Sequence, residues 1–277
     1  MTSIPSAKHT RFDQPPVVET VLGLHFKRLP KWEIPFYGLF WATIQDRYPK
    51  YAVVPYLGPS TEDFDQPARP NVGISLNILS GAPPCRLWFY NEAETELVQV
   101  QPDRFIFNWK RGLVAAAYPH YDNIRPSFEA EWVRFHNFVT SNGLGDIEIK
   151  QCEITYINHI ESGVGWEGFG ELDSVLTVWS GNRQSTLLAP PEVINLGIRY
   201  PLPGNKGRLD VVAEPAIRND DNKGIVQLTL IARGMPETSD LKNVLEWFDF
   251  AQGYVREAFV DLTTEKMHSI WGIRNQS

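Results

Sequence analysis

Apolar residues recur along the chain with two periods, and their order predicts its elements. Val17–Lys27 (VVETVLGLHFK) is rich in β-branched residues and alternates at Val18, Leu22, Leu24 and Phe26, the pattern of a strand. Phe36, Phe40, Ile44 and Tyr48 then fall four apart, one face of a helix that Pro49 stops. The proline-rich stretch Val53–Asn71 reads as a long loop. Three strand-like runs come next at Val72–Leu79, Cys85–Tyr90 and Glu96–Trp109, the last two joined as a hairpin through Asn91–Thr95. Pro102 donates no backbone hydrogen bond, so it marks a bulge or break within the third run. Phe128, Trp132, Phe135 and Val139 restore helical spacing, and Asn142–Gly143 closes that helix.

The second half has a similar order. Ile147–Ile160 (IEIKQCEITYINHI) predicts a strand, and Leu172, Val175, Leu176 and Trp179 outline a short helix. Val193–Tyr200, Arg208–Glu214 and Ile225–Arg233 predict three strands, with turns at Gly204–Gly207 and Asn219–Gly224. A long amphipathic helix then carries Leu241, Val244, Leu245, Phe248, Val255, Phe259 and Leu262. Each half reads strand–helix–strand–strand–strand–helix. The expected fold is therefore α+β: a duplicated unit of antiparallel sheet covered on one side by helices. A polar arm at 1–11 would precede repeats at about 12–144 and 145–277, packed as one compact unit. The two sheets are expected to join edge to edge, as in the saddle of TATA-box-binding-like proteins.

A sheet covered on one side leaves a second face, and the alternation says what stands there. Gln151, Glu153, Thr155 and His159 oppose the apolar positions of their strand. Gln99 and Gln101 oppose Val98 and Val100, while Gln227, Thr229 and Arg233 oppose Val226, Leu228 and Leu230. Glu19, His25 and Arg104 share that parity. Such a surface makes many directional hydrogen bonds, either with water or with a ligand. Gln99, Gln101, Arg104, Thr155, Gln227 and Thr229 are the candidate ligand contacts.

Composition narrows the partners. The 277 residues include 9 Trp, 10 Tyr and 15 Phe, a load that excludes a solvated, disordered chain. Net charge is −7, and it is uneven: residues 1–150 hold 15 Lys/Arg against 16 Asp/Glu, residues 151–277 hold 11 against 17. That balance argues against nucleic acid as partner. No apolar run has the length of a membrane helix, and the polar start lacks the apolar core of a signal peptide. Two cysteines, Cys85 and Cys152, fit a reducing cytoplasm rather than a disulfide framework.

Catalytic motifs are sparse. There is no phosphate-binding glycine loop, no HExxH and no GxSxG, and neither a metal nor a cofactor is expected. The best catalytic constellation is His159 with Glu161 or Glu153, a general base with an orienting acid, which defines a hydrolase or nucleotide-processing alternative. Glu153 lies about 20 Å from His159 along an extended strand, which makes Glu161 the better partner. The aromatic and basic alternation of Gln99–Arg111 has the look of a single-strand nucleic-acid platform, but its aromatics share one parity and read as core. The leading expectation is a non-catalytic binding or regulatory protein for a protein or small-molecule ligand. A nucleic-acid-binding saddle is the third reading.

Several segments resemble a sporadically distributed bacterial protein family of unknown function. They are Pro15-Pro16-Val17-Val18-Glu19 with Val21-Leu22-Gly23, Arg86-Leu87-Trp88-Phe89, the run QVQPDRFIFNW at 99–109, Tyr118-Pro119 with Tyr121, CEITYINHI at 152–160, and Met267-His268 with Ile270-Trp271-Gly272. The resemblance spans nearly the whole chain and implies a single protein without appended domains. It implies no activity, since the family has no assigned catalytic residues. The patchy distribution of such families points by analogy to mobile or defence-associated genes. The aromatic surplus of Trp32–Tyr51 points to a homodimer, formed through a sheet edge or the aromatic helices.

Overall fold

A computed structural model describes residues 10–58, 61–62, 64, 85–112, 117–181, 187–189, 191–218 and 221–275. In chain order its strands and main helices are β1 (Thr10–Phe12), β2 (Val17–Phe26), α1 (Ile34–Ala42), β3 (Lys50–Pro55), β4 (Cys85–Tyr90), β5 (Glu96–Gln101), β6 (Arg104–Lys110), α2 (Tyr121–Ser141), β7 (Ile149–Glu161), β8 (Leu196–Pro201), β9 (Arg208–Ile217), β10 (Gly224–Gly234), α3 (Leu241–Leu262), α4 (Glu265–Trp271) and β11 (Ile273–Asn275). The protein is α+β, an open antiparallel sheet with its helices packed on one side.

Nine strands form one sheet in the order β3-β4-β5-β6-β2-β7-β10-β9-β8. The path explains that order. From β2 the chain crosses through α1 to the far edge, then returns by the antiparallel meander β3 to β6 until β6 lies beside β2. From β7 it crosses to the opposite edge and returns through β8, β9 and β10 until β10 lies beside β7. The long strands β2 and β7 pair antiparallel at the centre, from Val17↔Asn158 to Phe26↔Ile149. Hydrogen bonds therefore run without a break from one edge to the other.

The helix side is an aromatic core. Phe105 packs 5.1 Å from Phe135 and 5.5 Å from Trp132 between ring centroids, Phe40 sits edge-on to Phe135 at 5.5 Å, and Phe128 meets Phe248 of α3 at 5.0 Å. That last pair joins α2 to α3 and so ties the two halves together, and Asp249 reinforces it by accepting hydrogen bonds from Tyr121 and Arg125, both at 2.8 Å. Buried Leu22, Leu24, Ile154, Leu228 and Leu230 form the sheet's contribution.

Several sequence expectations change. The run Glu96–Trp109 is two strands, because the chain reverses at Pro102–Asp103 instead of bulging there. The carbonyls of that turn serve β2 and the segment leading on to α1: Phe26 N–H donates to Asp103 O at 3.0 Å and Leu29 N–H to Pro102 O at 2.8 Å. Residues 50–55, which overlap the proline-rich stretch, form edge strand β3. The helix expected at 36–48 spans 34–42, although Ile44 and Tyr48 still bury themselves beyond its end. The helix expected at 172–179 is one 3-10 turn at Leu172–Ser174 with a bridge from Leu176 to Thr263 after it, because its apolar residues pack against the α3–α4 junction. The strand expected at 72–79 lies outside the described residues. Thr10–Phe12, at the end of the predicted arm, pairs with β11.

Candidate functional site on the polar face of the sheet

The register fixes which side chains share a row on the face away from the helices. Gln101, Arg104, His25 and Gln151 stand opposite one another across β5, β6, β2 and β7, and Arg86 on β4 takes the corresponding parity beyond Gln101. The next row runs Trp88, Gln99, Ile106, Gly23, Glu153, Arg233 and Arg208. After it come Thr155, Ile231, Asp210 and Arg199, then Thr229, and finally His159 opposite Gln227. Gln99, Gln101, Arg104, Thr155, Gln227, Thr229, Glu153 and His159 thus share one face, as alternation predicts, but they do not converge on one point.

Three networks occupy this face. In the first, Trp88 Nε1 donates to Gln99 Oε1 at 2.8 Å, Gln99 Nε2 to Asn108 Oδ1 at 2.7 Å, and Asn108 Nδ2 to Glu19 Oε1 at 2.6 Å. Burial raises the Glu19 carboxyl above its usual range, against the Asn108 hydrogen bond and the Lys110 charge. In the second, Arg233 reaches Glu153 at 2.6 Å and Asp210 at 2.8 Å, Arg199 pairs with Asp210, and Glu62 lies 3.0 Å from Arg208 and 3.4 Å from Arg233. Three acids meet three arginines, so this cluster is neutralised internally. Removing one member would leave a desolvated charge behind.

The third network fastens the segment after β3 to the face. Leu57 N–H donates to Gln101 Oε1 at 3.2 Å, Gln101 Nε2 donates to Leu57 O at 3.1 Å and to Asp103 Oδ1 at 2.7 Å, and Arg104 donates to Gly58 O at 2.7 Å. Tyr56 hydrogen-bonds Asp103, and Glu62 N–H donates to Gln151 Oε1 at 2.9 Å. Gln101 and Arg104 therefore hold the protein's own loop. Burial first, then the charges of Arg104 and Arg233, push the neighbouring His25 imidazole down to about 3.

Arg86 stands outside these networks. Half-buried Arg86 makes no ion pair with the described residues; its guanidinium lies over the Trp88 ring, 5.2 Å from the centroid, and its Nε is buried without a hydrogen-bond partner. Nε of Arg104 is likewise buried and unpartnered. Burial lowers the Arg86 pKa, and the positive charge of Arg104 lowers it further. Tyr90 continues the strand beyond Trp88, edge-on at 5.9 Å. The result is a half-buried cation stacked on an aromatic ring, the arrangement that suits an anionic group. Parity alone does not reveal Arg86: its significance lies in the absence of an acidic partner among the described residues, which depends on the fold.

His159 and its carboxylates lie elsewhere. Glu161 accepts from Arg218 at 2.5 Å and from Lys223 at 3.0 Å, and the Arg218 hydrogen bond holds its carboxyl below the usual range. Glu153 is paired with Arg233. His159 hydrogen-bonds Gln227, and burial lowers its pKa. Neither carboxylate orients the imidazole. His159, Glu161, Arg111 and His120 do line one open groove at the end of β7.

The fold and this face define a class: an α+β protein whose open nine-stranded sheet carries helices on one side and a hydrogen-bonded polar array on the other. Comparison with protein-family models, curated proteins and solved structures found no match to the chain. Among the described residues no helix is long and apolar enough to cross a membrane.

Proposed function

We propose that this chain is a non-catalytic binding protein that holds an anionic group of its ligand on the polar sheet face, between Arg86 and Arg104. The observation that carries this reading is the Arg86 guanidinium: half-buried, stacked on Trp88, close enough to feel the charge of Arg104, and without an acidic partner among the described residues. Desolvating a cation without compensation costs free energy, and a bound carboxylate or phosphate restores it through charge-assisted hydrogen bonds. Trp88 and Tyr90 supply an apolar platform for the rest of the ligand. The free thiols of Cys85 and Cys152 support a reducing compartment. The reading includes a homodimer through the exposed edge strand β3.

Thermal unfolding in the presence of citrate, phosphate and sulfate tests it. At matched ionic strength these anions are expected to raise the Tm saturably relative to chloride, and Arg86→Gln is expected to abolish the difference. Equal shifts for chloride and the multivalent anions, or an unchanged response in Arg86→Gln, would overturn it.

A further inference from the structure

On the opposite face, where β2 and β7 meet beneath α3, the chain forms a partly open cavity of about 100 Å³. Phe12, Val17, Leu230, Val255 and Phe259 supply apolar walls, and Tyr156 and Asn158 of β7 supply polar ones. Asn158 is 1% exposed and its Nδ2 donates to Leu228 O at 2.9 Å, yet its Oδ1 has no partner. Tyr156 is 8% exposed, and its hydroxyl has Tyr118 and Gln252 as hydrogen-bond partners. Thr20, directly opposite Tyr156 in the register, sets its buried hydroxyl against Tyr118 as well.

Tyr156 and Asn158 place polar groups in this interior, and Asn158 Oδ1 without a partner is unusual there, since nearly all such groups are paired. They stand in the middle of the sheet, where an apolar residue would pack as well and cost less. Their chemistry states what is missing. Asn158 Oδ1 is an acceptor and takes a donor from its guest, whereas a tyrosine hydroxyl serves either way. The volume is about two-thirds of the ~150 Å³ cavity that accepts benzene, so a short branched chain or a single small ring is the upper limit inside the walls.

We infer that this cavity is a binding site for a small amphipathic molecule with an apolar body and a hydroxyl or primary amide head, the head donating to Asn158 and meeting the Tyr156 hydroxyl. Arg256 and His120 lie at the same cavity.

The probes are phenol and isobutyramide, with toluene as the apolar control, read by calorimetric titration and by Tm. Phenol or isobutyramide is expected to bind saturably at millimolar concentration and toluene not to bind. Asn158→Leu is expected to weaken the binding by about tenfold or more. If Asn158→Leu fails to fold, Gln252→Leu on the cavity wall and Val255→Phe, which fills it, are expected to reduce or abolish binding. Arg86→Gln should leave it unchanged, so this site and the one on the polar face fail independently. No binding by either polar probe, equal binding of toluene, or polar-probe binding indifferent to Asn158→Leu and Val255→Phe would overturn the inference.

Discussion

Arg47 and Glu131 show how much one ion pair depends on where it sits. Glu131 is 2% exposed on α2, a helix otherwise packed with aromatic rings, and both its oxygens accept from the Arg47 guanidinium, one at 2.9 Å. Burial raises its pKa and Arg47 opposes that rise. Arg47→Met leaves the carboxylate desolvated and alone, so a loss of about 3 kcal/mol is expected at neutral pH by urea unfolding, shrinking as acid protonates Glu131. His25 gives a second residue-scale prediction. Its folded pKa of about 3 is depressed from an ordinary 6.5, so its contribution is complete above 6.5 and is lost as the pH falls toward 3. Between pH 7 and pH 5 this amounts to about 2 kcal/mol. Comparing the protein with His25→Gln at both pH values isolates that part; identical pH dependence in the two would refute it.

At the scale of elements, the two ends of the described chain close the molecule together. β1 pairs with β11, and Phe12 packs within 5.8 Å of Trp271 and 5.7 Å of both Phe259 and His268. α4 is set in place by Thr264, which accepts from Met267 N–H at 3.4 Å, and by Gly272, whose positive φ of 69° turns the chain into β11. Phe12→Ala is expected to cost about 3 kcal/mol, seen as a lower urea midpoint with an unchanged far-ultraviolet circular dichroism spectrum. A change below about 0.5 kcal/mol would mean that this terminal pairing adds no packing of its own. A close approach of similar consequence lies at the turn before β9. Gly207 has φ +131°, and a Cβ there would come within 1.8 Å of Arg233 O, so only glycine fits.

At the scale of the whole molecule, the sheet ends in two edges that no other described strand covers. Edge strand β3 exposes Tyr51 (59%) and Val53 (65%), and α1 beside it exposes Ile34 and Leu39. An edge that combines unpaired backbone groups with apolar side chains is what a second copy covers. Light scattering at micromolar concentration is expected to give twice 31.6 kDa, and Val53→Lys is expected to return the monomer with its circular dichroism intact. Trp41 is a poorer target, because its Nε1 donates to Tyr48 O at 2.8 Å and its removal disturbs the fold itself. A monomer mass for the unaltered protein would end this prediction.

The α+β class, the polarity of the two sheet faces and the long helices α2 and α3 are legible in the sequence alone. Period two in CEITYINHI and spacing of three and four in α2 are local properties, and every residue in them reports its own face. The union of the two halves was not local. It rests on β2 meeting β7, strands more than a hundred residues apart, with no feature in either that specifies the other. The reversal at Pro102–Asp103 was ambiguous for a similar reason: proline excludes a ladder bond, but whether the chain bulges or turns depends on what receives the freed carbonyls. The candidate ligand residues divide the same way. Alternation places Gln101 and Arg104 on the polar face, but only the tertiary structure engages them with Leu57 and Gly58 and leaves Arg86 without a counter-charge among the described residues. Facing is set by backbone periodicity, whereas pairing is set by distance between parts of the chain that folding alone brings together.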